Sequence, residues 1–199
     1  MTPTDIESLS KDKKVKVVKG PGGEERFLTF NFKIMPYGEK SSEPNADKAK
    51  AVRQAVANLI DREELATKVY KGTYTPMYSF IPDGLAGHDD TLKAAYGDGN
   101  GKPSSEKAKK TLEAAGVKTP VDLKLQYNPD HYGQSSADEY AAIKSQLEEG
   151  GLFKVDLQST EWTQYSKDRV VTEDSDGVYP AYQLGWFPDY SDPDNYLSP

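Results

Sequence analysis

Between residues 27 and 34 apolar and polar side chains alternate: Leu28, Phe30, Phe32 and Ile34 share one side of an extended chain, Thr29, Asn31 and Lys33 the other. A period of two predicts a half-buried strand. KVKVVK at 14–19 is a weaker strand candidate, and GPGG at 20–23 is the turn between them. After the polar loop YGEKSSEPN the period changes to 3.6, with Ala49, Val52, Val56, Leu59 and Ile60 on one helical face and Asn45 or Asp47 as the cap. Asp61 starts a second helix. Glu64 follows at capping-box spacing, Leu65, Ala66 and Val69 form the buried stripe, and Gly72 ends it.

Residues 73–102 carry no sustained period and read as loop. A third helix is expected from Ser104 or Ser105 to Ala115, with Ala108, Leu112 and Ala115 inward and Gly116 as the stop. VDLKLQY at 121–127 alternates again, placing Val121, Leu123, Leu125 and Tyr127 together. Beyond the loop NPDHYGQ, Ser136 and Glu139 have capping-box spacing for a helix carrying Tyr140, Ile143 and Leu147, which ends at Gly150–Gly151 before the strand FKVDLQ at 153–158. That strand–helix–strand run has the length of a βαβ unit, so its two strands should be parallel. A short helix from about Glu161 to Val170, the acidic loop TEDSDG and the strand AYQLGW, entered through Pro180, complete the order. The expected fold is α/β: one mixed sheet flanked by helices.

Composition narrows the function more than the fold. The net charge of −7 over 199 residues argues against a nucleic-acid partner, because such binding rests on clustered Lys and Arg. The basic run KDKKVKVVK is short and reads as a solvated strand edge. The chain has no cysteine, which removes disulfides and thiolate metal sites. No apolar stretch approaches the roughly 20 residues of a membrane span. The polar opening MTPTDIESLSKDKK is no signal peptide, so either the protein is cytosolic or the sequence begins after a targeting segment.

Candidate chemistry is sparse. His88 and His131 lie in separate loops and read as solvent-facing, and neither a nucleophile elbow nor a zinc-binding helix motif occurs. YGDGNGK fails as a phosphate loop, since Tyr96 stands where a glycine is required and Pro103 where a hydroxyl is required. TEDSDG resembles a calcium loop only through Asp174, Asp176 and Gly177: Thr172 and Gln183 occupy the first and last ligand positions. DYSDPDN carries Asp189, Asp192 and Asp194 without the central glycine. Asp189 and Asp192 could formally be a glycosidase pair beside aromatic residues, but nothing in the sequence marks one as the acid. DPDN reads more simply as an Asx-type turn. Trp186 and Asp189 differ, because they stand where AYQLGW ends, and open α/β sheets gather ligands beyond strand ends.

Four stretches in a fixed order carry a resemblance over nearly the whole chain from about Leu28. VRQAVANLIDREELATKVYKGTYTPMYSFIP, SSEKAKKTLEAAGV, EYAAIKSQLEEGGLFKVDLQSTEW and GWFPDYSDPDNYLSP together resemble the family 5 extracellular solute-binding proteins, the oligopeptide- and dipeptide-binding components of ABC importers. The resemblance implies one lobe of a two-lobed receptor, with the other lobe outside residues 1–199. Residues 1–26 would lead into the lobe and 27–199 would form it. It implies no catalysis and no cofactor, a peptide or related small solute as ligand, permease subunits as partners and a monomer. The location implied is extracytoplasmic, as a cell-surface lipoprotein or a periplasmic protein. By position, Asp189 would pair with the ligand's α-ammonium and Trp186 would lie against the ligand, with Tyr190 as a third contact. Neutral Gln183, near Trp186 on the same strand, offers no partner for a ligand carboxylate.

Overall fold

The computed structural model describes residues 1–198. In chain order its elements are α1 (Pro3–Ser10), β1 (Glu25–Phe30), α2 (Ala46–Leu59), α3 (Arg62–Glu64) running on as a π-helical turn (Leu65–Val69), α4 (Leu92–Ala95), α5 (Ser105–Ala114), β2 (Val121–Tyr127), α6 (Ser135–Glu148), β3 (Phe153–Ser159), α7 (Trp162–Asp168), β4 (Ala181–Trp186) and α8 (Asp194–Leu197). The four strands form one mixed sheet in the order β1-β4-β2-β3. β2 is parallel to both β3 and β4, as expected for the βαβ unit, and β1 runs antiparallel to β4.

One face of the sheet carries the main core. Val121, Leu123 and Leu125 of β2, Phe153 and Val155 of β3 and Ala181 of β4 meet Val52, Val56 and Leu59 of α2, Leu112 of α5 and Tyr140, Ile143 and Leu147 of α6. The helical stripes read from the 3.6 period are the ones that point inward. The opposite face holds a smaller cluster, in which α7 and the chain before β4 supply Tyr165 and Tyr179 against Tyr182, with Trp162 and Leu184 beside them.

The caps follow the sequence in part. Asn45 accepts from the Lys48 N–H, Ser104 from that of Lys107 and Asp61 from that of Glu64. Glu64 does not complete a box, because Gln146 takes over both ends: its Oε1 accepts the Asp61 N–H at 3.0 Å and its Nε2 donates to Glu64 Oε2 at 3.0 Å. Ser136 and Glu139 are no capping pair either. α6 begins at Ser135 with Gln134 in the cap position, two residues earlier, Ser136 is buried as an acceptor for Gln183, and Glu139 accepts the Tyr70 hydroxyl at 2.7 Å. Thr2 and Asp5 do form a full capping box on α1, an element the apolar pattern did not announce.

The first strand also differs from its reading. β1 opens at Glu25 and stops at Phe30, although the alternation continues to Ile34. Phe30 pairs with Ala181, the first residue of β4, so the ladder has no further partner strand. Asn31 then closes the chain into a turn, donating its backbone N–H to the Pro180 carbonyl and accepting the Lys33 N–H on its side chain. Phe32, expected inside, is 59% exposed, with the Arg53 guanidinium over its ring. KVKVVK is not a strand, and Val15 and Val18 face solvent: alternation makes a strand only where a neighbour takes its hydrogen bonds.

Candidate functional site

The topology brings the C-terminal ends of β2, β3 and β4 and the N-terminal start of β1 to one end of the sheet. Three connections gather there: Asn128–Gln134 after β2, Thr160 into α7 after β3, and Phe187–Pro193 after β4. The ladder between β2 and β4 lasts only two pairs, Leu125↔Ala181 and Gln126↔Tyr182. Beyond it the strands diverge, and the Gln183 side chain fills the opening. Its Oε1 accepts the Asn128 N–H at 3.0 Å, its Nε2 donates to Ser136 Oγ at 2.8 Å, and its backbone carbonyl accepts the Tyr165 hydroxyl at 2.6 Å. Gln183 is fully buried, so it is a brace under the site and has no access to a ligand group of either charge.

Asn128 fixes the first loop. Its Nδ2 donates to the Thr160 carbonyl at 2.8 Å and its Oδ1 accepts the His131 N–H at 2.7 Å, while Asp130 Oδ2 accepts the Trp162 N–H at 3.0 Å. His131 is thereby laid flat on Trp162, with ring centroids 3.8 Å apart and planes 10° from parallel. It is solvent-exposed as expected, yet its stacked and partly desolvated ring lies below the usual histidine range. Tyr132 stands edge-on to Trp162 and its hydroxyl accepts the Gly185 N–H at 3.2 Å. Arg26 of β1 lies within 6 Å of the Tyr70, Tyr74 and Tyr132 rings and pairs with Glu24 at 2.6 Å. The other histidine, His88, is tied to the Ile81 carbonyl at 2.7 Å in a distant loop.

The segment after β4 is organised by one side chain. Asn195 of α8 is buried, and its Oδ1 accepts both the Trp186 Nε1–H at 3.0 Å and the Asp189 N–H at 3.1 Å. Trp186 is half-buried, and Asp189 and Tyr190 are exposed. The Asp189 carboxylate meets no basic side chain among the described residues. Asp192 accepts the Asp194 N–H at 3.1 Å, so DPDN is an Asx-type turn that opens α8. On the far side Tyr196 donates its hydroxyl to the Gly23 carbonyl at 2.8 Å, closing α8 against the start of β1.

The structure therefore brings Trp186, Asp189 and Tyr190 to one sheet end and adds residues the sequence reading missed: Glu25, Arg26, Tyr132, Trp162 and Asn195. Trp162 could have been found, since it also follows a strand end. Asn195 could not, because its role depends on a fold-back of nine residues onto Trp186. The hydrolase option gains nothing: Asp189 and Asp192 are both exposed, and neither sits in an apolar niche. The TEDSDG option fails because Asp176 is paired with Lys40 at 2.7 Å and Lys33 at 3.3 Å. Among the described residues no three acidic or histidine side chains are grouped to hold a metal, and no helix is long and apolar enough to cross a membrane.

The oligopeptide-binding protein OppA of Bacillus subtilis is 27% identical over 149 residues, which cover 73% of this chain and 26% of that protein. The dipeptide-binding protein of Escherichia coli K12 is 26% identical over 200 residues, covering 98% of this chain and 33% of that protein. The chain thus spans about a third or less of the length of these curated relatives. The Escherichia coli murein tripeptide binding protein MppA has the same fold at a TM-score of 0.74 and 24% identity, over 100% of this chain and 36% of that one. The sequence pattern described as "Bacterial extracellular solute-binding proteins, family 5 Middle" matches residues 1–199 from end to end, and the chain belongs to that family.

Proposed function

We propose that this chain is the ligand-binding lobe of a peptide receptor that serves an ABC-type importer, capturing its ligand as a second lobe closes and delivering it to membrane permease subunits. The observation that carries this reading is the Asn195 clamp. One buried amide oxygen sets the Trp186 indole and the Asp189 backbone together, and the Asp189 carboxylate is left exposed without a basic partner. A carboxylate carried on a fixed backbone beside a half-buried indole suits a ligand with an ammonium next to apolar surface. Closure would lower the dielectric around that pair and strengthen it, biasing the lobes toward the closed state. Tyr190 extends the same surface.

The names of the relatives support a peptide as ligand. An extracytoplasmic receptor, lipid-anchored or free in a periplasm and working as a monomer, is the setting this proposal implies. The test is calorimetry on the full-length receptor with a free and an N-acetylated form of one tripeptide. Asp189→Ala should weaken the free peptide by about tenfold or more, the scale of a charge-assisted hydrogen bond, and leave the acetylated one unchanged. Equal loss for both, or none for either, would remove Asp189 from the assigned role.

A further inference from the structure

Glu25 stands directly across the β1–β4 ladder from Trp186. Opposed residues of an antiparallel pair project from the same face of a sheet, so the carboxyl and the indole are neighbours. Glu25 is only 8% exposed, and its Oε2 is buried without any hydrogen-bond partner. The nearest basic residue in sequence, Arg26, points to the other face and is held by Glu24. Two residues before Glu25 the chain is held by the Tyr196 hydroxyl on the Gly23 carbonyl and lies against Pro188, whose ring a Cβ on Gly23 would meet at 2.7 Å.

A buried carboxylate with an unpartnered oxygen loses hydration and gains nothing in exchange. Burial pushes the Glu25 carboxyl up to about 7. Acidic side chains are held inside proteins where a partner compensates them, and none of the described residues does so here. The position of this group, beside Trp186 at the end of the sheet that carries Asp189, indicates where a compensating cation would come from.

We propose that Glu25 is a second acidic contact of the ligand site, taking the side-chain ammonium or guanidinium of a basic residue in a bound peptide while Asp189 takes its α-ammonium. The proposal rests on the peptide-receptor reading above and adds specificity to it: the favoured ligands are peptides with a lysine or arginine. Trp186 stands across the ladder from Glu25 and three residues before Asp189, so its ring is available to cover the aliphatic stem of such a side chain.

The experiment compares lysyl-alanyl-alanine with norleucyl-alanyl-alanine, which has the same chain without the second charge, by calorimetry on the full-length receptor. The lysyl peptide should bind about tenfold or more tighter, as expected for a hydrogen bond to a charged group. Glu25→Gln, which keeps the shape and removes an unpaired buried charge, should bring the ratio close to one. Nε-acetyl-lysyl-alanyl-alanine should lose the preference on the unmodified receptor, so the charge requirement is read without any substitution. A ratio that survives Glu25→Gln, or that is already near one in the unmodified receptor, overturns the proposal and leaves the peptide reading intact. Binding of neither peptide overturns both.

Discussion

Replacing Gln183 by leucine tests whether the candidate site is held up by buried hydrogen bonds beneath it. Asn128, Ser136 and Gln183 are all essentially inaccessible, and Gln183 joins the other two through contacts of 3.0 and 2.8 Å. Leucine would leave the Asn128 N–H and the Ser136 hydroxyl without partners. An orphaned buried group costs about 1–3 kcal/mol, so two cost about 4 kcal/mol, and the added apolar burial returns about 1 kcal/mol. The net expectation is a loss of about 3 kcal/mol, read as a lower urea midpoint with an unchanged slope by tryptophan fluorescence. Ser136→Ala alone should cost about 1–2 kcal/mol, because it orphans only the Gln183 amide. The double variant should cost less than the sum of the singles by about 1 kcal/mol, since each change removes the group the other strands. Strict additivity, or a Gln183→Leu loss under about 0.5 kcal/mol, would refute the brace.

Two further outcomes are expected. Asn195→Ala strands the Trp186 indole N–H and frees the Asp189 backbone, so free-amine peptides should bind about tenfold more weakly to the full-length receptor; unchanged affinity would show that the clamp does not position the site. Glu25 makes stability fall as pH rises. Its folded carboxyl lies at about 7 against an ordinary 4.5, so between those values the folded chain holds a proton the unfolded chain has lost. The contribution is full below 4.5 and gone above about 7, for a total of about 3 kcal/mol. The difference between the unmodified chain and Glu25→Gln in urea unfolding at pH 5 and pH 8 isolates it from the histidines, and a pH-independent difference would contradict the burial of that carboxyl.

The sequence by itself determined the elements whose signal is local. Periods of 3.6 placed the inward stripes of α2, α5 and α6, strict alternation placed β2 and β3, and single side chains such as Asn45, Asp61 and Ser104 set helix starts through hydrogen bonds spanning three residues. It also placed Trp186 and Asp189 at a strand end. Where a residue's role depends on a distant partner, pattern was not enough. Phe32 continues the alternation of β1 but lies beyond the point where β4 begins, so no ladder holds it. Ser136 and Glu139 have capping-box spacing but are taken by Gln183 and Tyr70, 47 and 69 residues away. Gln183 looks like a surface polar residue until the divergence of β2 from β4 gives its amide two buried partners. Glu25 looks like one more solvated acid in GGEER until the register with Trp186 buries it. These outcomes were decided by tertiary structure because burial and hydrogen-bond partnership are properties of what the fold brings alongside a residue, and a carboxylate or amide reads the same in sequence whether water or protein surrounds it.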